Sequence, residues 1–122
     1  MPKILVIDDE ASVCELMKKL FEPAGYNVIT ECDPVNAVTL ADKERPDCVL
    51  LDIKMPKVDG MEVLSRIKGI DKSISVIMIT GYGNIQTAME SMKLGAYDYI
   101  TKPFDLEFLK TLVKRCLETK RK

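Results

Sequence analysis

The chain has 122 residues, a length that fits one domain burying roughly two thirds of its extended surface around a single core. Its 18 Lys and Arg residues and 19 Asp and Glu residues leave a net charge of -1. Because such a balance does not attract a polyanion, direct nucleic-acid binding is not expected. The absence of histidine excludes a His-ligated zinc site, a Ser-His or Cys-His nucleophilic pair and an internal phosphohistidine.

Cysteine usage and hydropathy indicate the environment of the chain. The 4 cysteines show no C-x-x-C spacing, and Cys48 lies inside an apolar run, so disulfides are not expected. There is no basic and apolar leader and no apolar stretch of about eighteen residues, so neither export nor membrane insertion is expected. We therefore expect a soluble protein of the reducing cytoplasm.

Short apolar runs with the composition of β-strands alternate five times with helical patterns along the chain. The predicted strands cover residues 4–7, 27–30, 48–51, 76–79 and 99–101. This alternation predicts an α/β fold, a doubly wound (βα)5 parallel sheet of five strands with helices on both faces. In the strand order 2-1-3-4-5, strands one and three lie side by side at the switch point, where such folds bind ligands.

The predicted helices are marked by caps as well as by apolar spacing. Asp33 before Pro34 indicates the start of the second helix, and Asp105 indicates the start of the fifth. Gly95 should end the fourth helix. The apolar residues of that helix line one of its sides: Ile85, Ala88, Met89 and Met92.

Aspartates directly follow two of the predicted strands. Asp8 and Asp9 follow the first strand, and Asp52 follows the third. Either run alone also fits an ordinary helix cap, but in neighbouring strands the three carboxylates gather at one edge of the sheet. Each close pair of carboxylates costs on the order of 3 to 4 kcal/mol at an effective dielectric near 20 unless a cation intervenes. We therefore expect Mg²⁺, which takes oxygen ligands and keeps positions open to phosphate.

Polar residues also follow two further strands, namely Thr80 and, next to Pro103, Lys102. A hydroxyl donor and an ammonium donor both suit the oxygens of a transferring phosphoryl group. The Asp52 carboxylate can then act as the nucleophile and form an aspartyl phosphate, while the metal and Lys102 neutralise charge.

Five motifs occur in an order and spacing typical of one protein family. Together they resemble the receiver domain of bacterial two-component response regulators: Asp8-Asp9, Asp52 with Met55-Pro56, Asp59-Gly60, Thr80-Gly81 and Lys102-Pro103-Phe104. The resemblance spans essentially the whole chain and implies one receiver domain over residues 1–122 with a flavodoxin-like fold. The run Thr-Gly-Tyr-Gly-Asn at 80–84 is similar to receivers attached to transcription activators of the nitrogen-regulator kind.

The resemblance implies a role for each acidic residue. Asp52 would accept phosphate from a phosphohistidine on a separate sensor histidine kinase, or from a small phosphodonor. Asp9, Asp52 and the backbone carbonyl of Lys54 would ligate Mg²⁺, and Asp8 would contribute through a metal-bound water. The domain would not be a conventional enzyme, although self-phosphorylation from phosphodonors and self-dephosphorylation are expected.

The same resemblance implies a switch. Thr80 and Lys102 would bind the phosphoryl oxygens, and Tyr99 would turn into the space that the Thr80 hydroxyl leaves as it moves toward the phosphate. The face made by the fourth helix, fifth strand and fifth helix would then change toward an output domain, a partner protein or a second copy in a homodimer. Alternatively, Tyr99 is simply an aromatic half-buried at the sheet edge. The peptide bond between Lys102 and Pro103 is expected to be cis.

Several alternatives remain open at this point. Lys54 and Tyr82 lie where family members tune the lifetime of the phosphoryl group, but a solvated surface role fits both equally. A stand-alone phosphorelay or chemotaxis-like regulator is the alternative to a receiver with a transcriptional output. A small Mg²⁺-dependent phosphatase and a flavin-binding protein belong to other classes, although the acidic first loop at 8–12 is unlike a phosphate-binding loop.

Overall fold

Five parallel strands form a single sheet in the computed structural model, which describes residues 1–81 and 84–120. The strands are β1 (Lys3–Ile7), β2 (Asn27–Glu31), β3 (Cys48–Asp52), β4 (Ser75–Thr80) and β5 (Asp98–Thr101). Their spatial order is β2-β1-β3-β4-β5, and every neighbouring pair is parallel. The predicted order 2-1-3-4-5 and the flavodoxin-like α/β fold are confirmed.

Five α-helices alternate with these strands along the chain and cover both faces of the sheet. They are α1 (Ala11–Phe21), α2 (Ala37–Glu44), α3 (Gly60–Ile70), α4 (Ile85–Lys93) and α5 (Leu106–Lys120). A separate antiparallel ladder of two residues on each side pairs Lys54–Met55 with Val58–Asp59, in the loop after β3. Within residues 1–81 and 84–120, no helix is both long and apolar enough to cross a membrane.

Alternate side chains of the strands enter two separate cores because successive residues of a strand point to opposite faces. In β1, Ile4 and Val6 pack with side chains of α1 and α5, whereas Leu5 and Ile7 pack with side chains of α2 and α3. Every residue of β3 is buried as well. Burial on both faces explains why these strands are continuous apolar runs rather than alternating sequences.

Helix ends lie where the caps in the sequence indicate. Asp33 accepts a hydrogen bond from the amide of Val35 at 3.0 Å at the start of a short 3-10 turn, Pro34–Asn36, which leads into α2 at Ala37. Asp105 accepts one from the amide of Glu107 at 2.8 Å at the start of α5. Gly95 follows α4 with a φ of 100°, a left-handed conformation that a side chain disfavours. These local signals therefore mark where three of the helical segments begin or end.

The chain passes very close to the end of β3 at Gly60, where there is no space for a side chain. A Cβ atom on Gly60 would lie 2.6 Å from the carbonyl oxygen of Asp52 and 2.6 Å from Cα of Ile53. Asp59 caps α3 by accepting a hydrogen bond from the amide of Met61 at 2.9 Å. The Asp59-Gly60 pair thus seats the start of α3 directly against the strand end that carries Asp52.

The fourth helix is packed differently from the others. Its apolar residues Ile85, Met89 and Met92 are 78%, 60% and 50% exposed. Of the described residues of α4, Ser91 alone is buried, and its hydroxyl donates a hydrogen bond to the carbonyl of Thr87 at 2.8 Å. The apolar side that the sequence indicates is therefore a surface of the domain.

Candidate functional site

Three carboxylates meet at the carboxyl edge of the sheet, at the switch point between β1 and β3. Carboxylate oxygens of Asp8, Asp9 and Asp52 all lie within 4.8 Å of one another. Asp8 and Asp52 are only 3% and 6% exposed, whereas Asp9 is exposed. The structure thus brings together the three acidic residues that the sequence analysis singled out, in a pocket that opens to solvent beside Asp9.

Local backbone hydrogen bonds orient the two buried carboxylates. The amide of Glu10 donates to Oδ1 of Asp8 at 2.9 Å, and the amide of Lys54 donates to Oδ1 of Asp52 at 3.2 Å. The amide of Asp8 continues the strand pairing by donating to the carbonyl of Glu31 at 3.2 Å. A hydrogen bond from an aspartate carboxylate to the amide two residues later is a common kind of turn. The short sequence after each strand therefore fixes the orientation of the carboxylate.

Lys102 closes the pocket from the end of β5. Its Nζ lies 3.2 Å from Oδ2 of Asp8 and 3.3 Å from Oδ2 of Asp52. Its backbone amide donates to the carbonyl of Thr80 at 2.7 Å, and its peptide bond to Pro103 is cis, as the resemblance implied. One ammonium group therefore bridges the two buried carboxylates.

The pKa values of Asp52 and Lys102 are both raised above their usual values in this pocket. Burial raises the pKa of Asp52, the Asp8 carboxylate raises it further, and Lys102 opposes both effects. Burial alone would lower the pKa of Lys102, but Asp8 and Asp52 raise it above its usual value. The ammonium therefore stays charged, while a negative charge on Asp52 is costly until another cation arrives.

The donor set fits a hard divalent cation. Three carboxylates lie together and the Lys102 ammonium pairs with two of them, so the carboxylates outnumber this ammonium when they are ionised. Two oxygens bound to one Mg²⁺ are at most about 4.2 Å apart, since each Mg²⁺ to oxygen distance is about 2.1 Å. The carboxylate oxygens, which lie within 4.8 Å of one another, are therefore close to the largest spacing that one Mg²⁺ allows.

The two residues expected to form a switch lie on neighbouring strands. Thr80 ends β4 and is fully buried, one residue beyond Ile79, which pairs with Asp52 in the sheet. Tyr99 on β5 is half-buried, and its hydroxyl lies 2.7 Å from Oγ1 of Thr87 on α4. In this structure the Tyr99 hydroxyl is thus hydrogen-bonded to α4.

Thr87 is a residue that the sequence analysis did not single out. Its amide donates to Oδ1 of Asn84 at 2.9 Å, and its Oγ1 accepts from the amide of Asn84 at 3.3 Å. This reciprocal cap at the start of α4 is a recognisable spacing pattern. The additional bond to Tyr99 joins two separate elements, and nothing in the local sequence indicates it.

Lys54 and Tyr82 are expected to tune the lifetime of a phosphoryl group, and the structure describes only the first of them. Lys54 is exposed, and its backbone amide is hydrogen-bonded to Asp52. Tyr82 lies outside the described residues. The structure therefore places Lys54 beside the pocket.

The fold and the pocket together define a class of small α/β domains with an acidic, lysine-bridged site at the switch point of a parallel sheet. The family model described as response regulator receiver domain matches residues 4–114. The protein belongs to this family, the receiver domains of two-component response regulators, and the resemblance read from its motifs is confirmed.

Individual relatives support the assignment. Sporulation initiation phosphotransferase F of Bacillus subtilis is 41% identical over 118 residues, which are 97% of this chain and 95% of that protein. The nitrogen assimilation regulatory protein NtrX of Azorhizobium caulinodans is 39% identical over 120 residues, which are 97% of this chain but 26% of NtrX. The crystal structure of a CheY-like receiver domain protein from Methanospirillum hungatei matches with a TM-score of 0.95 and 27% identity, over 99% of this chain and 97% of that one.

These relatives agree on the receiver domain and differ in what accompanies it, because the chain spans nearly all of the phosphotransferase and 26% of NtrX. The relatives include the nitrogen-regulator type that the run 80–84 resembles. The alternative of a stand-alone regulator is not favoured by the comparisons. Membership of the receiver family replaces the phosphatase and flavin-binding alternatives.

Proposed function

We propose that Asp52 accepts a phosphoryl group from the phosphohistidine of a sensor histidine kinase or from a small phosphodonor, and that residues 1–122 act as one receiver domain. The observation that carries the proposal is the position of Lys102, whose ammonium lies 3.2 Å from Asp8 and 3.3 Å from Asp52. A carboxylate beside a fixed positive charge and two further carboxylates is suited to nucleophilic attack on a phosphoryl group that a metal helps to hold.

In the proposed reaction, an oxygen of Asp52 forms a bond to phosphorus as the bond between phosphorus and the donor nitrogen breaks. The electron pair of the broken bond stays on the imidazole of the donor. Lys102 stabilises the negative charge on the phosphoryl oxygens, and the amide of Lys54 holds the Asp52 carboxylate in place during the attack. The domain positions and neutralises charge, and the donor supplies the energy of the transferred group.

The metal is assigned to the open side of the same pocket. Asp9, Asp52 and the backbone carbonyl of Lys54 would hold Mg²⁺, and Asp8 would contribute through a bound water. When bound, Mg²⁺ supplies further neutralisation of the phosphoryl oxygens. The exposed position of Asp9 and the burial of Asp8 beside Lys102 support this division of roles.

The signal is proposed to leave the pocket through Thr80 and Tyr99. A phosphoryl group on Asp52 attracts the Thr80 hydroxyl, and Tyr99 turns into the space that this movement opens. That rotation breaks the 2.7 Å hydrogen bond between Tyr99 and Thr87. Thr87 also belongs to the cap of α4. Phosphorylation would thus change the first turn of α4 without any direct contact with it.

The proposed output is the face formed by α4, β5 and α5. Its exposed apolar side chains provide a surface for an output domain, a partner protein or a second phosphorylated copy: Ile85, Met89, Met92, Leu106 and Phe108. A transcriptional output is the favoured form. We place the exchange with the kinase in the cytoplasm. Self-phosphorylation and slow self-dephosphorylation complete the cycle, and Lys54 and Tyr82 tune its length.

The experiment that tests the proposal is intact-mass spectrometry after incubation with acetyl phosphate and Mg²⁺. We expect one phosphoryl adduct on the wild-type chain and no adduct on Asp52→Asn. Asp42→Asn is the matched control because Asp42 is an exposed aspartate whose ion pair with Arg45 lies at the surface. A phosphoryl adduct that persists on Asp52→Asn would place the acceptor on another residue.

A further inference from the structure

Two cysteines that are 18 residues apart in the sequence have neighbouring sulfur atoms. The Sγ of Cys32 lies 3.6 Å from the Sγ of Cys14 and donates a hydrogen bond to it. Cys14, on α1, is buried, whereas Cys32, just beyond β2, is exposed. Neither is in a disulfide. The pair therefore has one sulfur within reach of solutes and one held behind it.

We propose that Cys14 and Cys32 form a modification site at which a small hydroperoxide is reduced and the two sulfurs close into an intramolecular disulfide. The sulfurs must approach from 3.6 Å to the S–S bond length of about 2.05 Å, a movement of roughly 1.5 Å. Cys32 lies on a short exposed connection between Glu31, the end of β2, and Pro34, where the next turn begins. Because Cys32 is exposed, core packing does not hold its side chain away from Cys14.

The chemistry proceeds in two balanced steps. The sulfur of Cys32 first attacks the peroxide and takes one oxygen, so Cys32 becomes a sulfenic acid and the hydroperoxide is reduced to an alcohol or, from hydrogen peroxide, to water. The sulfur of Cys14 then attacks the sulfur of Cys32; the S–S bond forms, the S–O bond breaks, and the oxygen leaves with the Cys14 proton as water. Two thiols are oxidised by two electrons in total.

Burial, the hydrogen-bonded thiol of Cys32 and the charge of Asp8 together raise the pKa of Cys14 to about 12. Closure is therefore expected to be slower than the first oxidation of Cys32. For this reason the test measures the end product rather than its rate.

The location gives the modification a structural consequence. The thiol of Cys14 donates a hydrogen bond to the backbone carbonyl of Asp8 at 3.5 Å, and the amide of Asp8 pairs with the carbonyl of Glu31, the residue before Cys32. Closing the disulfide removes the proton of the first bond and ties α1 to the end of β2. The modified pair thus lies directly behind the backbone that carries the acidic pocket.

The test uses hydrogen peroxide on the purified chain at low protein concentration, followed by thiol blocking in denaturant and tryptic mapping without reduction. Trypsin cleaves after Lys3, Lys18, Lys19 and Lys43, so the two sulfurs fall on the separate peptides 4–18 and 20–43. We expect a cross-link between these two peptides, on a chain of monomeric mass, that a reductant reverses. The buried Cys48 and Cys116 should be recovered as blocked thiols.

Two variants make the result decisive. Cys32→Ser should give no cross-link, and Cys14→Ala should stop at a sulfenic acid that dimedone traps on residues 20–43. If Cys14→Ala does not fold, the comparison of the tryptic peptide maps of Cys32→Ser and the wild type still tests the proposal. Over-oxidation of Cys32 without a cross-link, a cross-link between two chains, or a link to Cys48 would overturn the proposal. Asp52→Asn should close the disulfide like the wild type, which separates this inference from the proposed phosphorylation.

Discussion

The helices α4 and α5 border the same face of the domain, and both have regularly spaced apolar residues, but they are packed in opposite ways. In α5, Leu109, Val113 and Cys116 are fully buried in the core shared with α1. In α4, the apolar Met89 is 60% exposed, and the buried residue is Ser91. One helix is part of the core, and the other lies on its edge.

This difference shows where the domain can change its conformation at low cost. Moving α5 would expose several fully buried apolar side chains, whereas moving α4 would expose few. A helix held by its cap, by the hydrogen bond between Thr87 and Tyr99 and by the contact of the Ser91 hydroxyl with Sδ of Met61 is suited to a two-state equilibrium that a small interaction can shift. We therefore expect α5 to contribute to the stability of the core and α4 to change its position at low cost.

Truncating one apolar residue in each helix is the most direct test of the difference in packing between α4 and α5. Leu109→Ala in α5 should lower the free energy of unfolding by about 2 to 5 kcal/mol, because it leaves a cavity in a fully packed core. Chemical denaturation in urea measures the loss.

Met89→Ala in α4 is the matched variant, and we expect a change within about 0.5 kcal/mol, as for other exposed positions. Equal losses for Leu109→Ala and Met89→Ala would mean that α4 is packed as firmly as α5. The explanation of the switch by loose packing would then be wrong.

A second comparison is between the two states of the acidic pocket, with and without a cation. Mg²⁺ should stabilise the wild-type chain by about 2.7 kcal/mol when its concentration is one hundred times the dissociation constant, because it binds the folded form. Asp52→Asn should lose most of this effect. Thermal unfolding with and without Mg²⁺ measures both, and Asp42→Asn is expected to respond like the wild type.

The metal-free protein should show a pH dependence of opposite sign to that of an aspartate whose pKa is lowered on folding, because burial of Asp52 outweighs its ion pair with Lys102. Because the folded pKa of Asp52 is raised above the usual 3.8, the folded state binds this proton more tightly than the unfolded state does. The resulting stability is present at acidic pH and lost as the pH rises from 3.8 through the folded pKa. Asp52→Asn should therefore be more stable than wild type at pH 7 without metal, and this advantage should shrink toward pH 4. An advantage that is constant with pH would contradict the burial of this charge.

Much of the fold and the pocket follows from the sequence because the relevant signals are local. Each strand is a short apolar run, and Asp8, Asp52 and Thr80 come at or directly after strand ends that parallel pairing brings to one edge. Asp33 and Asp105 cap helices through amides two residues away. Parallel topology and short-range hydrogen bonds together leave few alternative arrangements.

The remaining features depend on contacts between distant residues, which periodicity does not report. The spacing of apolar residues in α4 shows that they share a side, but not that solvent covers that side. The bond between Thr87 and Tyr99 joins residues 12 apart, and the sulfurs of Cys14 and Cys32 belong to residues 18 apart. No C-x-x-C motif marks this cysteine pair. Such contacts become visible only once the packing angles of the helices are fixed.

The hydrogen bond between Thr87 and Tyr99 allows the sharpest test of how α4 is held. Thr87→Ala removes the hydrogen bond to Tyr99 and half of the cap with Asn84, so it should cost about 1 kcal/mol of stability. Thr87→Ser keeps the hydroxyl and should behave like the wild type. Labelling of Asp52 should be unchanged in both variants, since Thr87 does not contact the pocket.

In amide hydrogen exchange, Thr87→Ala alone should lose protection in the first turn of α4, because the Tyr99 hydroxyl no longer connects that turn to β5. Equal protection in Thr87→Ala and Thr87→Ser would show that Tyr99 has no hold on α4, and its proposed rotation would then have no route to the exposed face.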